Sequence, residues 1–363
     1  MKKMRVQGIM AALVLAAGMI FTSCGGGQAD SGYLIGVAMP TRSSARWISD
    51  GENVQRGLEA LGFSVDLQFA DDVIETQVAQ IENMIMRGAR ALVIGSIDGA
   101  ALTGVLQQAA DAGIPVIAYD RLLMNSPHVN YYVSFDNFRV GMQMGEIMVR
   151  GLDLENATPD NPRFIEVFGG SPDDNNAFFF YDGAMVVLQP FIDAGTLVIG
   201  SGQRGMHVVG TLRWDGALAQ ARMDNLLSAF YTEQELHGVL SPYDGLSLGI
   251  ISSLRGVGFG TDGRPMPIVG GQDALLPSIR AILDGDQYAT IFKDTRLLAD
   301  AAVSAVAAIL EGRPVAVNNT TDYHNGVRIV PSILLDTTPI FQYNAVRILV
   351  EETGYYTLAQ LGL

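Results

Sequence analysis

Short polar clusters recur along the chain, each just after an apolar run: Arg46-Trp47, Asp120-Arg121, Asp136-Asn137, Ser171-Pro172-Asp173-Asp174-Asn175-Asn176, Trp214-Asp215, Tyr243-Asp244, Gln272-Asp273 and Lys293-Asp294. One Asp or Asn after a strand is commonly a helix N-cap or turn residue. Recurrence in both halves of the chain, joined by Arg and Trp, points past capping to a shared site. The chemistry of such a set is hydrogen bonding to a small, neutral, polyhydroxylated ligand. Each hydroxyl both donates and accepts, so its pocket needs carboxylates and amides beside Arg, Lys and Asn. A planar carboxylate or guanidinium also bridges two neighbouring hydroxyls through charge-assisted bonds. Carboxylates outnumber cations in these clusters, which disfavours an anionic ligand. Trp47 and Trp214 are the only tryptophans. Their indoles suit the C–H face of a pyranose, with ordinary burial as the alternative.

Positioning these clusters falls to short β-rich runs alternating with segments of helical period, the pattern of parallel βα units. Strands are expected near Leu34 to Met39, Val65 to Phe69, Ala91 to Gly95, Val116 to Tyr119 and Tyr132 to Phe135. A second set is expected near Phe164 to Phe168, Leu197 to Ile199, Val239 to Leu240, Ile268 to Gly270 and Thr290 to Phe292. A helix from about Thr295 to Glu311 and a strand near Val327 to Val330 follow. The expected fold class is α/β, with two Rossmann-like doubly wound lobes joined by a hinge. The first lobe spans 33–137 plus about 294–328, the second 138–293 plus about 329–363. In open α/β sheets ligands bind beyond the carboxyl ends of the strands, where these clusters fall.

The N-terminus carries a different signal. Lys2, Lys3 and Arg5 precede a mostly apolar run and Thr22-Ser23-Cys24, which holds the only cysteine. The run is shorter than the roughly 20 residues a membrane-spanning helix needs, and fits a cleaved export signal. Residues 1–23 resemble a bacterial lipoprotein signal, with Phe21 in place of the usual leucine. That resemblance implies lipid attachment at Cys24, and Gly25-Gly26-Gly27 through Gly32 reads as a flexible tether over 24–32. The net charge of −15 becomes more negative once the signal's basic residues are removed, and no basic run follows. Nucleic acid is thereby disfavoured as a partner, and no helix-turn-helix module precedes the first lobe. Both lobes must be stable without disulfides, which 48% hydrophobic residues allow.

Several segments, in order, carry a resemblance over nearly all the mature chain: Ser44-Ala45-Arg46-Trp47, Gln80-Ile81-Glu82-Asn83-Met84, Ala118-Tyr119-Asp120-Arg121, Ser134-Phe135-Asp136-Asn137, Gly169-Gly170-Ser171-Pro172 with Asp174-Asn175-Asn176, and Gly271-Gln272-Asp273. They resemble the xylose-binding and multiple-sugar-binding periplasmic receptors, type I substrate-binding proteins of ABC importers. Ser241-Pro242-Tyr243-Asp244-Gly245-Leu246-Ser247 and Thr290-Ile291-Phe292-Lys293-Asp294-Thr295-Arg296 bring the chain nearest the multiple-sugar branch. The resemblance implies that Arg46 approaches the sugar ring and that Asp120 and Arg121 contact hydroxyls from the first lobe. Asp174, Asn176, Asp273 and Lys293 would close from the second lobe and hinge, and Trp214 would stack on the ring. Trp47 and Tyr243 complete the set. Many relatives place Asn where Tyr243 stands, which leaves Asp244 a structural role at a helix start. The implied protein is a monomeric, lipid-anchored receptor of the cell envelope that takes a monosaccharide of the xylose, glucose, galactose or arabinose class. It closes about its hinge and delivers the sugar to an ABC permease, or signals through a chemoreceptor or sensor kinase. No cofactor is expected. The calcium loop of some glucose/galactose binders has no counterpart here, so no metal is expected.

Enzymatic readings are weaker. Gly245-Leu246-Ser247-Leu248-Gly249 fits G-x-S-x-G, but a nucleophile elbow needs its serine at a sharp turn directly after a strand, and Ser247 is expected inside a helix. Gly258-Phe259-Gly260-Thr261-Asp262-Gly263 fits G-x-G-x-x-G, yet follows a helix, where a dinucleotide site needs a strand. His128, His207 and His237 lack metal-ligand spacing. Paired carboxylates such as Asp173-Asp174 leave a secreted carbohydrate-modifying enzyme as the alternative of another class.

Overall fold

In the computed structural model, residues 32–261 and 263–363 are described. The expected signal peptide, Cys24 and nearly all of the expected tether lie outside them, as does Asp262. Strands β1 (Leu34–Met39), β2 (Ser64–Phe69), β3 (Ala91–Ile94), β4 (Val116–Tyr119) and β5 (Tyr131–Phe135) form one parallel sheet. Strands β6 (Arg163–Val167), β7 (Leu197–Ile199), β8 (Gly238–Leu240) and β9 (Ile268–Val269) form another. Then come β10 (Ala289–Phe292), β11 (Ser332–Leu335) and β12 (Thr338–Phe341). The first sheet runs β11-β5-β4-β3-β1-β2, every neighbour parallel. In the second, β7-β6-β8-β9 are parallel. Bonds from Tyr288 N–H to Val269 C=O and from Ile291 N–H to Gly271 C=O carry the sheet on to β10, which pairs antiparallel with β12. The two sheets thus repeat one winding order and differ in the direction of the last strand.

Sequence pattern accounts for the layers. β1 is buried throughout from Ile35 to Met39, as expected of a parallel strand covered on both faces. Helix 45–60 turns Trp47, Asp50, Gly51, Val54 and Leu58 toward that sheet, a stripe of helical period that carries an aspartate inward with the apolar residues. On the second sheet, helices 137–151 and 176–193 meet backbone to backbone. A Cβ on Gly141 would lie 2.4 Å from the Phe180 carbonyl oxygen, and one on Gly183 would lie 2.3 Å from that of Phe138. Glycine is required at both, and the close approach fixes where Phe180 enters the cleft.

The chain passes between sheets after β5, after β10 and again after β11. Asp136 and Asp294 cap the helices that begin at the first two crossings, accepting from Arg139 N–H and Arg296 N–H. At the third, Gln143 and Thr337 bond side chain to side chain at 2.7 Å. Two expectations need correction here. The strand expected at Val327–Val330 is a tight turn, because Gly326 takes φ 90° and the Asn325 side chain accepts from Val327 and Arg328 N–H. The strand lies at Ser332–Leu335 and pairs with β5. The lobe boundary expected near 328 therefore moves beyond Leu335, since β11 belongs to the first sheet.

Candidate ligand site between the lobes

A cavity of about 560 Å³ lies at the carboxyl ends of the strands of both sheets, and all ten expected site residues line it. From the first lobe, Arg46 enters on the opening turn of helix 45–60. Its NH2 meets Asp120 Oδ1 at 2.5 Å, its Nε meets Asp50 Oδ2 at 3.3 Å, and its NH1 meets Asp273 Oδ2 of the second lobe at 3.6 Å. Burial opposes the charge on Arg46, but the three carboxylates together hold its pKa well above the ordinary value. Asp120 follows β4 in a left-handed turn, φ 61°, a conformation Asp tolerates better than most residues. Its carbonyl accepts from Tyr132 Oη, Ser134 Oγ and Asn176 Nδ2. Burial alone would raise the Asp120 carboxyl, yet Arg46 and Lys293 bring it below the usual range. Arg121 donates to the carbonyls of Ser96 and Ile97, and its Nε lies 3.0 Å from Asp174 Oδ2 of the second lobe. Burial outweighs that pairing and raises Asp174.

Trp47 lines the cavity but is only 5% exposed. The guanidinium carbons of Arg46 and Arg121 lie 5.1 and 5.2 Å from its ring centroid. At that range a ring attracts cations, so Trp47 is the platform of the two arginines.

The second lobe supplies a different surface. Trp214 ends a 3-10 turn, Leu212–Trp214, in which Arg213 and Trp214 both have positive φ, 58° and 54°. Strained backbone of this kind persists where surrounding contacts enforce it. Here Thr211 N–H bonds the carbonyls of Gly169 and Gly170, Ser171 Oγ accepts from Arg213 N–H, and Asp215 caps the following helix. The indole rests on Gly170, where a Cβ would come within 2.0 Å of the ring. Phe180 and Tyr243 stand edge-on to it, with centroids 6.2 and 5.9 Å away. Burial pushes the Tyr243 phenol up to about 12. Lys293 Nζ, at the end of β10, pairs with Asp273 Oδ1 at 2.7 Å. Asp273 takes φ 91° and donates its N–H to the Ile291 carbonyl. Asn176 also lines the cavity, but its amide is engaged with the Asp120 carbonyl and Tyr132.

Asp244 stands behind this wall, fully buried, accepting from Thr290 Oγ1, Gln287 Nε2 and Leu275 N–H. Ser247 lies inside helix 244–256 and donates to the Gly270 carbonyl. That is a packing role. Asp50 and Phe180 are not among the expected site residues. Spacing gave a signal for Asp50, one helical turn from Arg46, but nothing in Phe178-Phe179-Phe180 says which ring faces the cleft. Among the described residues no group of three His, Cys, Asp or Glu is arranged to hold a metal, and no helix is long and apolar enough to cross a membrane.

A model of the periplasmic binding protein domain matches residues 35–314. The chain belongs to the periplasmic binding protein family. It is 56% identical over 333 residues to the multiple sugar-binding periplasmic receptor ChvE of Rhizobium radiobacter, covering 92% of this chain and 93% of that protein. To the D-xylose-binding periplasmic protein of Escherichia coli K12 it is 34% identical over 331 residues, 90% of this chain and 92% of that one. Among solved structures, an ABC transporter solute-binding protein from Clostridium phytofermentans with bound β-D-glucose superposes with a TM-score of 0.86 at 45% identity. It covers 90% of this chain and 99% of that one. The architecture is the type I periplasmic binding protein fold, and the family is one of binding receptors, not enzymes.

Proposed function

We propose that this chain captures a neutral monosaccharide of the xylose, glucose, galactose or arabinose class in the interlobe cavity and delivers it to an ABC permease. The observation that carries this reading is the pairing of an aromatic wall, Trp214 on Gly170, with buried carboxylates and cations that largely offset one another. Such a lining offers donors and acceptors to hydroxyls without favouring either sign of ligand charge. Both lobes contribute to it, so a bound sugar favours the closed arrangement over an open one. The names of similar receptors and the glucose in a similar structure support the same class. The set Arg46, Asp120, Arg121, Asp174, Trp214, Tyr243, Asp273 and Lys293 forms the contact surface, with Trp47 and Asn176 behind it. Cys24 holds the receptor at the membrane.

Calorimetric titration of the domain from Gly25 onward against xylose, glucose, galactose, arabinose, ribose and fucose tests the reading. Saturable binding of one or more is expected, and no binding to any of them overturns it. Membrane fractionation of the full chain and its Cys24→Ser variant tests the anchor, which is refuted if both distribute alike.

A further inference from the structure

Asp50 is 0% exposed on the sheet-facing side of helix 45–60. Neither carboxylate oxygen has a hydrogen-bond partner of good geometry, so as a packing residue an apolar side chain would cost less there. Besides the buried Tyr119 hydroxyl, which favours its ionised form, Asp50 has Arg46, one turn earlier, with Nε 3.3 Å from Oδ2. The three nitrogens of that guanidinium meet three carboxylates from three elements: Asp50 on its own helix, Asp120 after β4 and Asp273 after β9. Two of these belong to the first lobe, so they fix the plane of the fork before the second lobe arrives. Asp273 then meets the nitrogen that remains. A guanidinium is a planar fork whose usefulness depends on orientation.

We propose that Asp50 is a positioning residue for ligand capture, holding the Arg46 guanidinium in the plane that serves the cavity and receives Asp273. The ligand readout rests on the sugar-receptor reading. The test is a double-mutant cycle in D-glucose affinity over Asp50→Asn and Arg46→Lys, with Asp50→Ala in parallel in case Asn perturbs folding. Each single variant is expected to weaken binding at least tenfold. The double variant is expected to stay within threefold of Arg46→Lys alone, because an ammonium has no fork to orient. In the sugar-free protein, hydrogen exchange at Arg46 Nε is expected to be at least tenfold faster in Asp50→Asn than in the parent. Binding by Asp50→Asn and Asp50→Ala within twofold of the parent, losses that multiply in the double variant, or unchanged Nε exchange would overturn the assignment. A parent that binds no glucose refutes a glucose receptor, while the exchange comparison still decides where Asp50 acts.

Discussion

The two lobes share one winding order and use it for opposite purposes. In the first, Trp47 is driven into the core and its ring supports Arg46 and Arg121, so the lobe presents charge. In the second, Trp214 is lifted by two left-handed residues onto Gly170 and forms the wall itself. The same residue type is thus a foundation on one side and a surface on the other. Backbone geometry at the strand end decides which: Trp47 falls on the buried stripe of a regular helix, while Trp214 sits in a turn that no helix pattern constrains.

The largest expected effect breaks the foundation. Trp47→Ala removes a buried indole and is expected to lower unfolding free energy by about 3 to 5 kcal/mol, read by denaturant titration without sugar. A loss below about 1 kcal/mol would place Trp47 with Trp214 as a surface residue and dissolve the contrast.

A second test concerns how each lobe keeps a carboxyl buried. Asp50 has an arginine partner, whereas Asp244 rests on three neutral donors. Burial dominates at both: Asp50 rises to about 7 despite Arg46, and Asp244 goes from 3.8 to about 7 on its neutral donors. Between those values the folded chain holds a proton that the unfolded chain has released. Stability from this group therefore falls as pH rises through that window, by at most about 1.4 kcal/mol per pH unit. It is flat above the folded pKa. Relative to the parent, Asp244→Asn is expected to gain stability steadily from pH 4 to 7 and then level off. A pH-independent difference would show that Asp244 is ionised throughout.

Much of this was legible in the sequence because strand-end clusters follow from the period of apolar runs. Arg46, Asp120, Asp273 and Lys293 are all adjacent to strands or the helices that follow them, and they converge because parallel strands end on the same side. What the sequence left out is third-dimensional. Val327 to Val330 has strand composition, but the Asn325-Gly326 turn bends it away and the pairing starts after Pro331. Asn176 lines the cavity, and its amide also reaches the Asp120 carbonyl across the cleft, a pairing that no local pattern encodes. Asp50 carries only its spacing from Arg46 as a signal, and a charged residue on a helix is ordinarily solvated.

The smallest effect is the most discriminating. Trp214→Ala and Asp273→Ala are each expected to weaken sugar binding at least tenfold, about 1.4 kcal/mol, while the melting temperature of the sugar-free protein changes much less than in Trp47→Ala. Gly170→Ala separates the wall from its support: a methyl group placed 2.0 Å from the indole must displace the ring while leaving every polar lining residue in place. Its affinity loss should approach that of Trp214→Ala, and combining the two should add little, because a wall already moved cannot be removed again. Full affinity in Gly170→Ala would mean that the ring's position is immaterial. The second lobe would then contribute through its polar groups, Asp174, Tyr243, Asp273 and Lys293, and both lobes would bind by polar contacts.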